Sequence, residues 1–168
     1  MQVKVRIEDR DRTQAHGART LATPVPVAQV HPMGCAVACV AFILHQTYEE
    51  ALELFDFSRR AWSEGFLCAD VTTALARGGK PHTVRTILDP QPREEGITAA
   101  PSLVFISPSP QHPSGHFLAW CSENKKWMDP WINFPRMDPA VAGFRANLPG
   151  DPQYWFYAVK ALKPSLLR

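Results

Sequence analysis

Apolar positions are densest between residues 36 and 44, where AVACVAFIL runs without a charge. A segment apolar all round its circumference predicts a helix buried on every side. The expected helix covers 35–46 and opens at Cys35. Thr47 follows it, and Glu50 stands three residues further on, which is the pattern of a capping box. A second helix is therefore expected over YEEALELF, 48–55. The stretch GFLCADVTTALARGG, 65–79, reads as a third helix closed by Gly78-Gly79, a good C-terminal stop.

The pattern then changes character. HTVRTI (82–87), SLVFIS (102–107), HFLAWC (116–121), KKWMD (125–129) and YWFYAVKAL (154–162) are short, rich in β-branched and aromatic residues, and separated by turn residues. They predict strands. Residues 122–124 supply a tight reversal, so the third and fourth of these strands should form a hairpin. Before the buried helix, only VKVRI near the N-terminus alternates, as an edge strand would. Residues 1–26 otherwise read as an extended arm. Helices first and strands afterwards predict one α+β domain over 1–168 with segregated layers.

Composition narrows the functional classes. A chain of 168 residues suffices for one domain with a real core, and its 45% hydrophobic and 20% charged residues are those of a globular protein. The formal net charge is only +2, and the densest basic cluster is the pair Lys125-Lys126. Nucleic acid is therefore not an expected partner. No apolar run approaches the roughly 20 residues that a membrane helix needs. The charged N-terminus has no signal-peptide core, so a cytoplasmic protein that does not engage membranes is expected, with delivery as a secreted effector left open. Four Cys at irregular spacing suggest free thiols rather than a disulfide framework. Sixteen Pro gather between the elements and predict ordered loops.

Cys35 is the residue around which chemistry can be assembled. A thiolate is the reactive form of cysteine, and a helix N-terminus with a nearby imidazolium stabilises it. Gly34 lets the chain turn sharply into the helix and leaves room above the sulfur. The Cys35 backbone N–H, unpaired at a helix start, is a donor for an oxyanion. Gln29, six residues upstream on a loop, offers a side-chain amide as a second donor. A base and a group to orient it come from SGHFLAWCSENKKWMDPW: His116 follows Gly115 at a strand start, and Asp129 ends the next strand before Pro130. A two-residue loop at Ser122-Glu123 places His116 directly opposite Asp129. One centred on Glu123-Asn124 places them diagonally on one face, and a three-residue loop sends them to opposite faces.

In this order, Gln29, Cys35 at the head of a buried helix, His116 after Gly115 on a distant strand, and Asp129-Pro130 on the next, the chain resembles the papain-like cysteine peptidases. Within them it is most similar to the C39 and C39-like peptidase group. The resemblance spans about 27–131. It implies a papain-like fold, with an N-terminal helical half packed on a C-terminal antiparallel sheet. It also implies Cys35 as nucleophile, His116 as base, Asp129 as orienting residue and Gln29 as oxyanion donor. Many relatives carry a polar residue before the cysteine and Gly after it; this chain carries Gly34 and Ala36.

The function so implied is a cysteine-dependent hydrolase acting on a peptide or amide bond of a peptide or protein substrate, with no cofactor and no metal. A glutamine deamidase or transglutaminase-like acyl transferase would use the same three residues, and a papain-like domain with an inert site would be a binding module. Zinc at Cys35 and Cys39 is disfavoured, because Cys-x-x-x-Cys inside an apolar helix lacks a knuckle and no second Cys/His pair follows. Cys39, Cys68 and Cys121 read as packing residues. His112 is the rival base, on a Pro-rich loop expected to fix it poorly. Trp131 is placed to shield the His116–Asp129 pair from water.

Overall fold

The computed structural model describes residues 23–87 and 101–159. The expected VKVRI strand and most of the expected N-terminal arm lie outside these residues, as do the last positions of the strand expected over 154–162. Helices come first: α1 (Cys35–Leu44), α2 (Tyr48–Leu52), α3 (Arg60–Ser63) and α4 (Cys68–Arg77). The strands follow as β1 (His82–Thr86), β2 (Ser102–Ile106), β3 (His116–Cys121), β4 (Lys126–Asp129), β5 (Gly143–Arg145) and β6 (Pro152–Ala158). They form one antiparallel sheet in the order β1-β6-β2-β3-β4-β5. The α+β class with helices before strands is thus observed.

α1 is the central strut. Its residues 36–41 and Ile43 are buried, and the helix stops where His45 turns left-handed (φ 58°), two residues before the expected end. The capping box is present: Thr47 Oγ1 accepts from the Glu50 N–H at 3.2 Å, and Glu50 Oε2 accepts from the Thr47 N–H at 2.8 Å. α2 is shorter than YEEALELF, since residues 53–58 leave the helix in turns. α4 begins at Cys68, where Asp70 Oδ2 caps the Leu67 N–H at 2.7 Å, and closes at Gly78.

The helices share one apolar cluster with Leu103, Phe117, Ala119, Met128 and Phe156 of the sheet. This cluster contains Val37, Val40, Val71 and Leu75, all with no exposed surface. Strand alternation sends Val104, Ile106, Leu118, Trp120 and Trp127 into a second cluster. Trp120 and Trp127 are direct cross-strand partners, their rings 5.1 Å apart and edge-to-face.

The β3–β4 hairpin sets the site. Its pairs are Ala119–Met128, Trp120–Trp127 and Cys121–Lys126. The turn is therefore four residues, 122–125, with Lys125 left-handed (φ 54°), and longer than a tight reversal. Its centre still falls between Glu123 and Asn124, so the register is the diagonal one of the arrangements expected. Two short elements had no counterpart in the pattern: α3, and the three-residue edge strand β5.

Gly34 owes its identity to packing. A Cβ there would collide with the Tyr48 hydroxyl, which itself sits 3.0 Å from His31 Nδ1. Gly34→Ala is expected to destabilise the fold by roughly 1–3 kcal/mol, the usual cost of overpacking, and Tyr48→Phe in the same chain should recover part of that loss. Urea unfolding of the two single variants and the double variant checks this. A Gly34→Ala protein as stable as the parent would contradict the close approach.

Candidate active site

Four sequence-predicted residues converge on one small cleft of about 60 Å³. Gln29, Cys35 and His116 line it, together with His112, Trp131 and Phe134. Asp129 lies directly behind His116.

Cys35 is brought there by α1. It is the first residue of the helix and partly exposed, whereas Cys39, one turn on, has no exposed surface. No side chain caps this N-terminus. Among the described residues the Cys35 N–H has no hydrogen-bond partner, as helix geometry requires of a first-turn donor.

His116 is brought there by the start of β3. Gly115 precedes it in a left-handed conformation (φ +72°), and a Cβ at 115 would collide with the Phe105 ring and come within 2.8 Å of the Ile106 carbonyl. Only glycine meets both demands. The imidazole is buried and bonds Asp129 Oδ1 through Nε2 at 2.8 Å. A carboxylate accepts, so Nε2 carries the proton. Nδ1 is left as the basic nitrogen, and Cys35 lines the same cleft as the ring. Burial by itself lowers the His116 pKa. The hydrogen bond to Asp129, the neighbouring Cys35 thiol and the Asp129 charge outweigh it and lift the value from 6.5 to about 9.

Asp129 has no exposed surface. Burial opposes its charge, but His116, the Trp131 N–H (2.9 Å to Oδ1) and the Arg145 charge hold its pKa below the ordinary 3.8. Arg145 Nη2 sits 2.6 Å from Oδ2 as an ion pair without hydrogen-bond angles. Sequence reasoning missed Arg145. It lies on β5, whose register sets Gly143 opposite Asp129 and Arg145 opposite Trp127, so nothing in the local pattern marks it.

Gln29 is buried in the cleft wall, but its amide is engaged elsewhere. Nε2 donates to the His31 carbonyl at 3.1 Å and the Pro32 carbonyl at 3.0 Å, which folds the loop leading into Cys35. Oε1 is buried without a partner. Service to an oxyanion requires exchanging one of those two bonds.

His112 differs from its expected loose state. It is 3% exposed, its N–H donates to Ser109 Oγ, and its ring is stacked on that of His116. It bonds neither Cys35 nor Asp129, which leaves His116 as the oriented imidazole. The remaining thiols are packing residues: Cys39 is in the core, Cys68 opens α4, and Cys121 donates to Glu123 Oε2 at 3.2 Å. Burial pushes all three thiol pKa values up.

A larger cavity of about 510 Å³ lies at the opposite end of α1, lined by Ala41, Phe42, His45, Trp120 and Glu123 among others. It shares no residue with the Cys35 cleft. Among the described residues no helix is long and apolar enough to cross a membrane. Neither the protein-family models nor the curated proteins include a match to this chain.

Two predictions follow from the buried pair. Arg145→Ala should cost roughly 3 kcal/mol in urea unfolding, since it strands a buried carboxylate. The pH dependence has a definite sign. His116 has a raised pKa, so its contribution is complete below about 6.5 and is lost as pH rises towards about 9. Asp129 has a lowered pKa, so its contribution holds above 3.8 and is lost as pH falls. Thermal unfolding across pH should show both limbs, and Asp129→Asn should flatten them; an unaltered profile in that variant would refute the coupling.

Proposed function

We propose that this protein is a cysteine-dependent hydrolase of papain-like, C39-like architecture that opens a peptide or amide bond through an acyl-enzyme. The observation that carries the reading is the Cys35–His116–Asp129 line: a thiol at a helix N-terminus, a buried imidazole whose tautomer is set by a carboxylate, and a carboxylate with no solvent contact. Each feature favours the thiolate–imidazolium state.

The reaction follows from the protonation states. The Cys35 proton moves to His116 Nδ1. The thiolate attacks the carbonyl carbon, and the oxygen takes the charge beside the Cys35 N–H. As the intermediate collapses, the C–N bond breaks and His116 returns its proton to the leaving amine. Water, deprotonated by His116, then attacks the thioester and frees the acid and the thiol. Gln29 joins the oxyanion contact when one of its loop bonds is exchanged. With an amine in place of water the same steps give acyl transfer, and with a glutamine side chain they give deamidation. No step calls for a cofactor or metal. A peptide or protein substrate in the cytoplasm fits the small net charge.

Selective alkylation tests the reading against an inert binding module. At pH 6 Cys35 should react with iodoacetamide at least about tenfold faster than Cys68 or Cys121, whose thiols are pushed up by burial. Cys35→Ala should abolish the fast phase. Equal rates at the three thiols would reject the enzyme reading.

Trp131 provides a second test. Its indole Nε1 donates to the Arg136 carbonyl at 2.6 Å, and its ring meets Phe134 edge-on at 4.6 Å, beside the Asp129 carboxylate that its own N–H holds. Trp131→Ala keeps the N–H but admits water, so it should lower the rate of Cys35 alkylation at pH 6 and weaken the dependence of that rate on His116. An unchanged rate and pH profile would argue against shielding by the indole.

A further inference from the structure

His112 has no part in the proposed chemistry, yet its ring lies flat on the base. The His112 and His116 centroids are 4.6 Å apart and their planes differ by 5°. Phe134 packs against His112 at 5.0 Å, and Trp131 packs against Phe134 at 4.6 Å, so a row of rings runs from the loop after Asp129 to the face of His116. The backbone of His112 is pinned as firmly. Its N–H donates to Ser109 Oγ at 3.1 Å, and its carbonyl accepts from the Ser109 N–H at 3.0 Å and the Gly115 N–H at 2.9 Å. The last of these bonds ties it to the glycine that starts β3.

One of the two ring nitrogens is not used. His112 Nε2 is closed off from water and has no hydrogen-bond partner among the described residues. Burial pushes its pKa down to about 4, helped by the charges of His116 and Arg145 and opposed by that of Asp129. It therefore stays uncharged while His116 holds a proton, and two stacked cations are avoided. With Nε2 unpartnered and the ring uncharged, what His112 presents to His116 is a flat face.

We propose that His112 is a positioning residue, a rigid plate that fixes the plane of the His116 ring between Asp129 and Cys35 and keeps water off one of its faces. This rests on the reading of His116 as the base. Any flat aromatic ring of similar width should do the same work, and a side chain without a flat face should not.

The test uses His112→Phe, His112→Ala and His112→Leu in the full chain, with two readouts. Nitrogen-detected NMR of the His116 ring gives its tautomer and pKa without any substrate, and iodoacetamide gives the Cys35 rate across pH. The Phe variant should keep the Nε2–H tautomer, hold the His116 pKa within about 0.5 unit, and leave the Cys35 rate within about twofold. The Ala and Leu variants should mix tautomers and slow Cys35 at pH 6 on the order of tenfold, because a misaimed base loses its proximity advantage. Leu fills most of the space, so it answers for Ala if that variant does not fold. The plate is refuted if Leu and Ala match the parent in tautomer, pKa and rate. It is also refuted if Phe, folded with an unchanged Tm, is as impaired as Leu, since a ring nitrogen would then be what matters. A parent protein with an ordered Nε2–H tautomer but an unreactive Cys35 would sink the hydrolase reading and leave the plate standing.

Discussion

A carboxylate with no exposed surface is the constraint on which the rest of the site depends. Asp129 cannot stay charged in the interior unless its oxygens are met by donors and positive charge. Its three partners come from different parts of the chain: His116 from β3, the Trp131 N–H from the loop after β4, and Arg145 from the edge strand β5. The order of the last three strands in the sheet, β3-β4-β5, places β4 between the two that supply the imidazole and the guanidinium. Secondary structure and electrostatics are one problem here, because moving either neighbour would leave the charge uncompensated.

Cys35, the proposed nucleophile, is delivered by a different device. α1 is buried along most of its length, so its axis is fixed by packing and its first residue has little freedom to wander. Glycine precedes both Cys35 and His116 because backbone and side chains crowd there. Gly34 makes way for the Tyr48 hydroxyl, and Gly115 meets a left-handed turn against the Phe105 ring. Gln29 supports the same entry by bonding two carbonyls of the loop before Cys35. Helix and hairpin share the apolar core through Phe117, Ala119 and Met128, and at its edge that packing brings the Cys35 sulfur and the His116 imidazole to one cleft.

Much of this was legible in the sequence, and the limits have physical reasons. α1, the Thr47–Glu50 box, α4 and five strands are signalled by local periodicity and capping, which act within a few residues. The pairing of His116 with Asp129 was legible too, because strand parity is arithmetic once a hairpin is assumed; the turn is longer than a tight one, but its centre falls at one of the two expected places. β5 escaped because Gly-Phe-Arg is too short to show a period, and Arg145 escaped with it, since only the assembled sheet brings it to Asp129. His112 was misjudged as loose for a similar reason. Proline-rich loops read as irregular, but the fixity of this one comes from Ser109 and Gly115 hydrogen bonds and from rings that arrive from residue 134.

The four-residue turn at 122–125 has a consequence for how such a chain can vary through descent. Side chains alternate across a hairpin, so losing or gaining one residue there, with the strands re-paired, would carry Asp129 to the face away from His116. Losing or gaining two would keep the faces and only slide the diagonal. Length drift in this exposed turn is therefore filtered by parity: homologous chains that keep the pair should differ here by even numbers of residues, or should absorb an odd one in a bulge.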